Sequence, residues 1–88
     1  MSITSDALAG AEHAHYLAGL AVYVAHARLD RAESYSRYGN EALEEAFDLA
    51  VSEEARCRVA LDHAFWANDA DIAAVAEAED VAYWMSVG

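Results

Sequence analysis

The sequence predicts an all-helical fold, in which an antiparallel helical hairpin and a third helix form a three-helix bundle completed by dimerisation. The hydrophobic fraction of 57% is too high for a disordered chain, despite a net charge of −11. Much of that fraction is alanine, the best helix former. Proline is absent and glycine occurs only four times, so the chain contains few helix breakers. Its 88 residues suffice for a single domain, 1–88.

The first helix is predicted over residues 5–38. Thr4 can cap its N-terminus, with Ile3 and Leu8 forming a hydrophobic staple around that cap. Gly39 can adopt the left-handed conformation that ends a helix, and Asn40 can cap the next one. Gly39 and Asn40 therefore predict the turn of the hairpin.

The second helix is predicted over 41–67 and the third over 69–85. Acidic residues at the start of each complement the helix dipole, and Asn68 is the expected cap between them. Ser52 followed by Glu53 and Glu54 also has the pattern of a helix start. A break near Ser52 would give four helices instead of three.

Helical periodicity predicts which faces are buried. The main buried stripe of the first helix is predicted to be His13, Leu17, Leu20, Val24, Arg31 and Tyr35, flanked by Tyr16, Ala27 and Tyr38. A second apolar group, Leu8, Val22 and Leu29, lies on another side. In the second helix Leu43, Phe47, Ala50, Leu61 and Phe65 are predicted to face inward. The first helix is therefore expected to be contacted on two sides.

Four apolar residues fall outside these inward faces: Val59, Trp66, Val81 and Trp84. Tryptophan is enriched at binding hot spots, so we expect these residues to form an interface with a protein partner or with a second copy of the chain. The alternative is a folded-back C-terminal helix that buries all four internally.

Acidic residues are concentrated in two segments without bases, 40–54 and 68–80. Such a surface repels nucleic acid, so direct binding of DNA or RNA is not expected. The segments could imitate a nucleic acid and block a DNA-binding protein. A solvated surface, or adaptation to high salt, explains them more simply.

Glu12 and His15 have the E-x-x-H spacing that di-iron helical bundles use, and a hairpin would bring His63 and Asp71 toward them. The pattern is predicted to face outward, however, and a second copy is missing, so we predict no metal site and no cofactor. His13 is expected to be a core histidine. The sequence contains no nucleophile elbow and no phosphate loop, so we predict that the chain is not an enzyme.

Two carboxylates on apolar faces need partners. Glu54 has Arg58 four residues later, whereas Glu79 has none in its own helix. Arg28, Arg31 and Arg37 are expected to pair with the acidic start of the second helix.

Cys57 is the only cysteine and cannot form an intrachain disulfide. No apolar run is long enough to cross a membrane, so a cytoplasmic location is expected. The sequence thus predicts a small acidic protein-interaction module, an adaptor or inhibitor of the kind that bacterial or phage accessory genes encode.

Overall fold

Two long antiparallel helices account for nearly all of the described chain. A computed structural model describes residues 3–87, with α1 spanning Ile3–Tyr35 and α2 spanning Glu41–Val87. No strand occurs within this range. The hairpin is a thin rod, 77 × 16 × 15 Å, with a radius of gyration of 21.5 Å. A compact chain of this length would have a radius of gyration of about 12 Å.

The turn of the hairpin lies at the predicted position. Gly39 has a φ of +80°, which only glycine adopts readily. The buried Asn40 side chain donates from Nδ2 to the carbonyl of Ser36 at 2.8 Å, and the Asn40 carbonyl accepts from the amide of Glu44 at 2.9 Å. The predicted boundary at Gly39 and Asn40 is confirmed. The helix α1 ends at Tyr35, earlier than predicted, because the Ser36 hydroxyl accepts the Tyr38 amide at 3.1 Å in a local turn.

The two helices meet along a seam of a and d positions, which alternate spacings of four and three residues as in a coiled coil. In α1 the half-buried or buried seam positions are Thr4, Leu8, Ala11, His15, Ala18, Val22, Ala25, Leu29 and Ala32. In α2 they are Leu43, Phe47, Ala50, Glu54, Cys57, Leu61, Ala64 and Asn68. This pattern makes residues 3–71 an antiparallel coiled-coil body.

Small residues occupy one position of every repeat in the seam. These are Ala11, Ala18, Ala25 and Ala32 in α1 and Ala50, Cys57 and Ala64 in α2. Small side chains let two helices approach closely, but they bury little apolar area. Among the described residues only one apolar side chain, Ala18, is buried, with 7% of its surface exposed. The body therefore has a narrow core.

The predicted third helix, 69–85, is the continuation of α2, so the predicted helix start at Asn68 is wrong. The predicted alternative break near Ser52 is wrong too. Asn68 lies in the seam, where it faces Thr4, and α2 contains neither proline nor glycine. Without a helix breaker beside it, a polar seam residue continues a helix more readily than it caps one. The described chain is a two-helix hairpin, not a three-helix bundle.

The predicted buried stripe of α1 is also wrong. Leu17, Leu20 and Val24 are exposed, as are Tyr16 and Tyr35. The second apolar group, Leu8, Val22 and Leu29, contacts α2 instead. Four of the inward residues predicted in α2 are confirmed in the seam, but Phe65 lies outside it and is half exposed.

The start of α1 marks the end of the paired body. Thr4 lies inside α1 and is not the predicted N-cap; its hydroxyl donates to Asp71 Oδ2 at 2.6 Å and lies 3.4 Å from Asn68 Oδ1. Beyond Asp71, α2 continues for sixteen residues, about 24 Å. We call this segment, 72–87, the overhang. Neither helix, as described, has a stretch long and apolar enough to cross a membrane.

Candidate interaction surface

All four predicted interface residues are exposed on α2. The exposed fractions are 58% for Val59, 60% for Trp66, 51% for Val81 and 65% for Trp84. The first pair lies on the body and the second on the overhang. Eighteen residues separate the two tryptophans, which is about 27 Å along a helix. The structure thus brings the four residues together as two patches, not as one.

The body patch contains a shallow groove of about 630 Å³ along one flank of the seam. Its lining consists of Leu8, Glu12, Arg58, Val59, Leu61, Asp62 and Phe65. Phe65 packs edge-to-face against Trp66, with 5.4 Å between ring centroids. A lining that combines apolar and charged side chains is typical of a protein-binding surface.

The outer face of α1 carries a second apolar repeat that α2 does not cover. Leu17, Leu20, Val24 and Ala27 follow one another at spacings of three and four residues, and Tyr16 and Tyr23 lie beside them. Leu20 and Val24 also line a groove of about 410 Å³ on the other flank of the seam. This repeat contains part of the predicted buried stripe, which the structure leaves exposed.

The overhang exposes every one of its large apolar side chains. These are Ile72, Val75, Val81, Tyr83, Trp84, Met85 and Val87. Tyr83 and Trp84 contact each other edge-to-face, with 5.7 Å between ring centroids. No described segment of the chain packs against these residues.

One polar cluster interrupts the apolar seam. His15 Nε2 lies 2.9 Å from Glu54 Oε1, and Arg58 donates to the same carboxylate from Nε at 3.3 Å. The Arg58 hydrogen bond, followed by that from His15, holds the pKa of Glu54 below its ordinary value. The predicted Glu54–Arg58 pair is confirmed. Sequence reasoning missed His15 as its second partner, because it placed His15 on the outer polar strip.

This cluster does not resemble a metal site. The structure brings no group of three or more metal-ligating side chains together within residues 3–87. His15 is directed at Glu54, while Glu12 is exposed and lines the larger groove. His63 is exposed, and the Asp71 carboxylate accepts the Thr4 hydroxyl. The predicted core histidine, His13, is exposed on the outer face of α1, so that prediction is wrong.

The predicted ion pairs across the turn are absent from the described residues. Arg28, Arg31 and Arg37 form no salt bridge there. Arg56 instead pairs with Glu53 one turn earlier on α2, which lowers the pKa of Glu53 and raises that of Arg56. Glu79 is exposed on the overhang. The acidic residues at the start of α2 therefore keep their charge exposed.

Comparisons with known proteins identify no relative: no family model matches the chain, and neither the curated proteins nor the solved structures give a significant match.

Proposed function

We propose that this chain is a protein-interaction module that acts without catalysis, as an adaptor or inhibitor that also associates with copies of itself. Its working parts are the body patch around Val59 and Trp66 and the overhang patch around Val81 and Trp84. Association would complete the helical bundle that one hairpin leaves unfinished.

The excess of exposed surface is the observation that carries this proposal. The hairpin exposes 6935 Å² for a mass of 9.5 kDa. A stable monomer of this mass exposes about 5,000 Å², so the excess is about 1,900 Å². A standard interface buries about 800 Å² on each partner, and obligate dimers bury more. The excess is thus as large as the surface that an obligate partner covers.

The kind of residue exposed supports the same proposal. Large apolar side chains are exposed along the whole hairpin, including both tryptophans and all five tyrosines. A monomer gains no stability from such side chains, whereas aromatic residues contribute most to binding energy at interfaces. The acidic residues between the apolar patches keep the net charge high, which opposes nonspecific aggregation.

Alanine substitution of each tryptophan tests the proposal. Affinity capture from the native host, with Trp66→Ala and Trp84→Ala compared with the unaltered chain, should lose the captured protein or the second copy. Each loss at a hot spot is expected to cost about 2 kcal/mol of binding free energy or more. Leu49→Ala is the matched control, because Leu49 is 64% exposed on α2 and lies outside both patches.

Two further readings decide the outcome. Circular dichroism should show unchanged helicity in all three variants, because none of these side chains lies in the seam. Binding should persist at high salt, since apolar contacts are not screened. Collapse of binding at high salt, with competition by DNA, would instead favour the nucleic-acid mimic. Unchanged capture by both tryptophan variants would refute the proposed patches.

A further inference from the structure

The seam of α2 continues past the end of α1 without changing its spacing. After Asn68 the same positions are occupied by Asp71, Val75, Ala78, Ala82 and Met85. Four of these five residues are apolar and lie in the overhang. The overhang therefore presents a coiled-coil face for which the described chain supplies no partner helix.

Charge is excluded from that face. Placed at 100° per residue, Ala74, Val75, Ala78, Val81, Ala82 and Met85 fill a continuous arc of about 120°. The acidic residues of the overhang, Glu77, Glu79 and Asp80, all lie outside this arc. An uninterrupted apolar arc of this width is what a helix needs in order to pack against another helix.

The body shows how such a face pairs. Thr4 lies opposite Asn68. When that register is extended along both helices, the residue numbers of each pair of facing seam residues add up to 72, and His15 reaches its partner Glu54 one turn away from that register. The residues beside the seam agree with this register. Glu12 and Arg58 line the groove on one flank, and Arg28 and Ala46 line the groove on the other. Antiparallel layers of this kind pair an a position with a d position across the seam.

The overhang can form the same layers with a second copy of itself. In antiparallel orientation, Val75 of one copy meets Met85 of the other, and Ala78 meets Ala82. Each layer then occurs twice, related by a twofold axis, as a symmetric dimer requires. The flank geometry of the body places Val81 beside Val81 of the second copy next to that axis. On the opposite flank Glu79 approaches Glu79 of the second copy.

We propose that two copies of this chain associate through their overhangs, 72–87, as an antiparallel coiled coil in which Ala78 of each copy packs against Ala82 of the other. This inference rests on the proposed function, because it names a second copy as the occupant of the seam face of the overhang, which has Val81 at its edge. Pairing would also stabilise the overhang as a helix, since most helical stability in proteins comes from the packing of an apolar face.

The surface area supports a second copy as the occupant, because the excess of about 1,900 Å² is larger than the surface of about 800 Å² that a standard interface covers on each partner. Pairing the overhangs covers the a, d and adjoining flank positions and leaves the body patch free. It therefore removes part of the excess surface and still leaves a surface for another protein. Only four seam layers form, two of them between alanines, so the association is expected to be reversible and dependent on concentration.

Disulfide trapping tests the register and the orientation together. Cys57→Ala provides a background without the native thiol, and Ala50 and Ala64 show that alanine fits the equivalent seam positions. Two chains are then prepared, one with Ala78→Cys and one with Ala82→Cys, and one of them carries a size tag. They are mixed and oxidised with oxidised glutathione.

The mixture should give mainly the mixed dimer, because only the 78–82 pair has the Cα separation that a disulfide requires. Each chain oxidised alone should give little dimer. Strong homodimer bands from each single chain would show parallel pairing and overturn the proposal. The matched control is Ala73→Cys mixed with Ala82→Cys, since Ala73 lies outside the apolar arc and should remain uncross-linked.

Light scattering on uncross-linked protein separates this inference from the proposed function. Met85→Asp should abolish the dimer, whereas Glu79→Gln should tighten it by removing the like charges near the axis. A dimer that survives Met85→Asp and gives no 78–82 cross-link would refute overhang pairing while the interaction function stands. Loss of the dimer with capture retained through Trp66 would support both.

Discussion

The helix α2 runs through both the body and the overhang, but α1 packs against it only in the body. In both regions α2 carries apolar residues at the seam spacing, with alanine at many of the flanking positions. From Leu43 to Asn68 those seam positions are half-buried against α1, whereas in 72–87 all of them are exposed. We therefore expect the stability of this chain to depend on helix pairing, since most helical stability in proteins comes from the packing of an apolar face.

Even the body is only thinly packed. Apart from Ala18, its seam side chains are half-buried, and the outer face of α1 keeps a complete apolar repeat exposed. Two helices expose more surface to water than a bundle of three or four. The difference between the body and the overhang is therefore one of degree, and both regions would gain stability from further helices.

The largest expected effect on stability comes from shortening one seam side chain in each region. Leu61→Ala removes a half-buried side chain from a body layer, whereas Val75→Ala truncates an exposed seam residue of the overhang. Leu61→Ala should lower the free energy of unfolding by about 2 kcal/mol, the lower end for leucine because the site is only half-buried. Val75→Ala should change it by less than about 0.5 kcal/mol.

Urea denaturation followed by circular dichroism at low protein concentration measures both values. Low concentration keeps the chain monomeric, so self-association does not contribute to the apparent stability. Equal losses in the two variants would contradict the comparison, because they would mean that the overhang is packed as tightly as the body. At high concentration Val75→Ala should additionally weaken the dimer.

A substitution in the turn that joins the two helices should have a smaller effect on stability. Gly39→Ala places a side chain at a φ of +80° and should destabilise the body by about 1 kcal/mol. Gly19→Ala is the matched control, because Gly19 lies inside α1 and an added Cβ there meets no atom within 4 Å. It should stabilise the hairpin by about 0.5–1 kcal/mol. Thermal unfolding of the two variants should therefore shift in opposite directions.

The sequence predicted the turn well because Gly39 and Asn40 each have a specific backbone role. It predicted the helical class for a similar reason, since alanine without proline allows little else. The buried face of α1 could not be chosen in the same way. Its two apolar repeats have the same spacing. Many residues of the repeat that contacts α2 are alanines, and alanine is also common on the other faces of the helix.

The remaining errors have related causes. Asn68 has the residue type of a cap, but its position in the seam makes it a partner of Thr4. His15 shares a helix face with other polar residues, so it was predicted to face outward. In the structure it lies in the seam and contacts Glu54. Both are polar seam residues, whose role is visible only once the opposite helix is known. The four interface residues were predicted to be uncovered, and the structure adds that they form two separate patches.

The smallest expected effect concerns the polar cluster that marks the middle of the body. The pKa of Glu54 is lowered, so its carboxylate stabilises the folded hairpin above the unfolded pKa of about 4.3 and loses that effect as the pH falls through the folded value. Glu54→Gln should therefore be less stable than the unaltered chain at neutral pH, and the difference should close below about pH 4. Glu53→Gln is the control: Glu53 is half exposed and its salt bridge, with Arg56, lies within one helix, so its difference should be smaller over the same pH range. Thermal melts at a series of pH values measure both differences. A larger effect at Glu53 than at Glu54 would mean that the contact with His15 across the seam adds nothing to the pairing of the body.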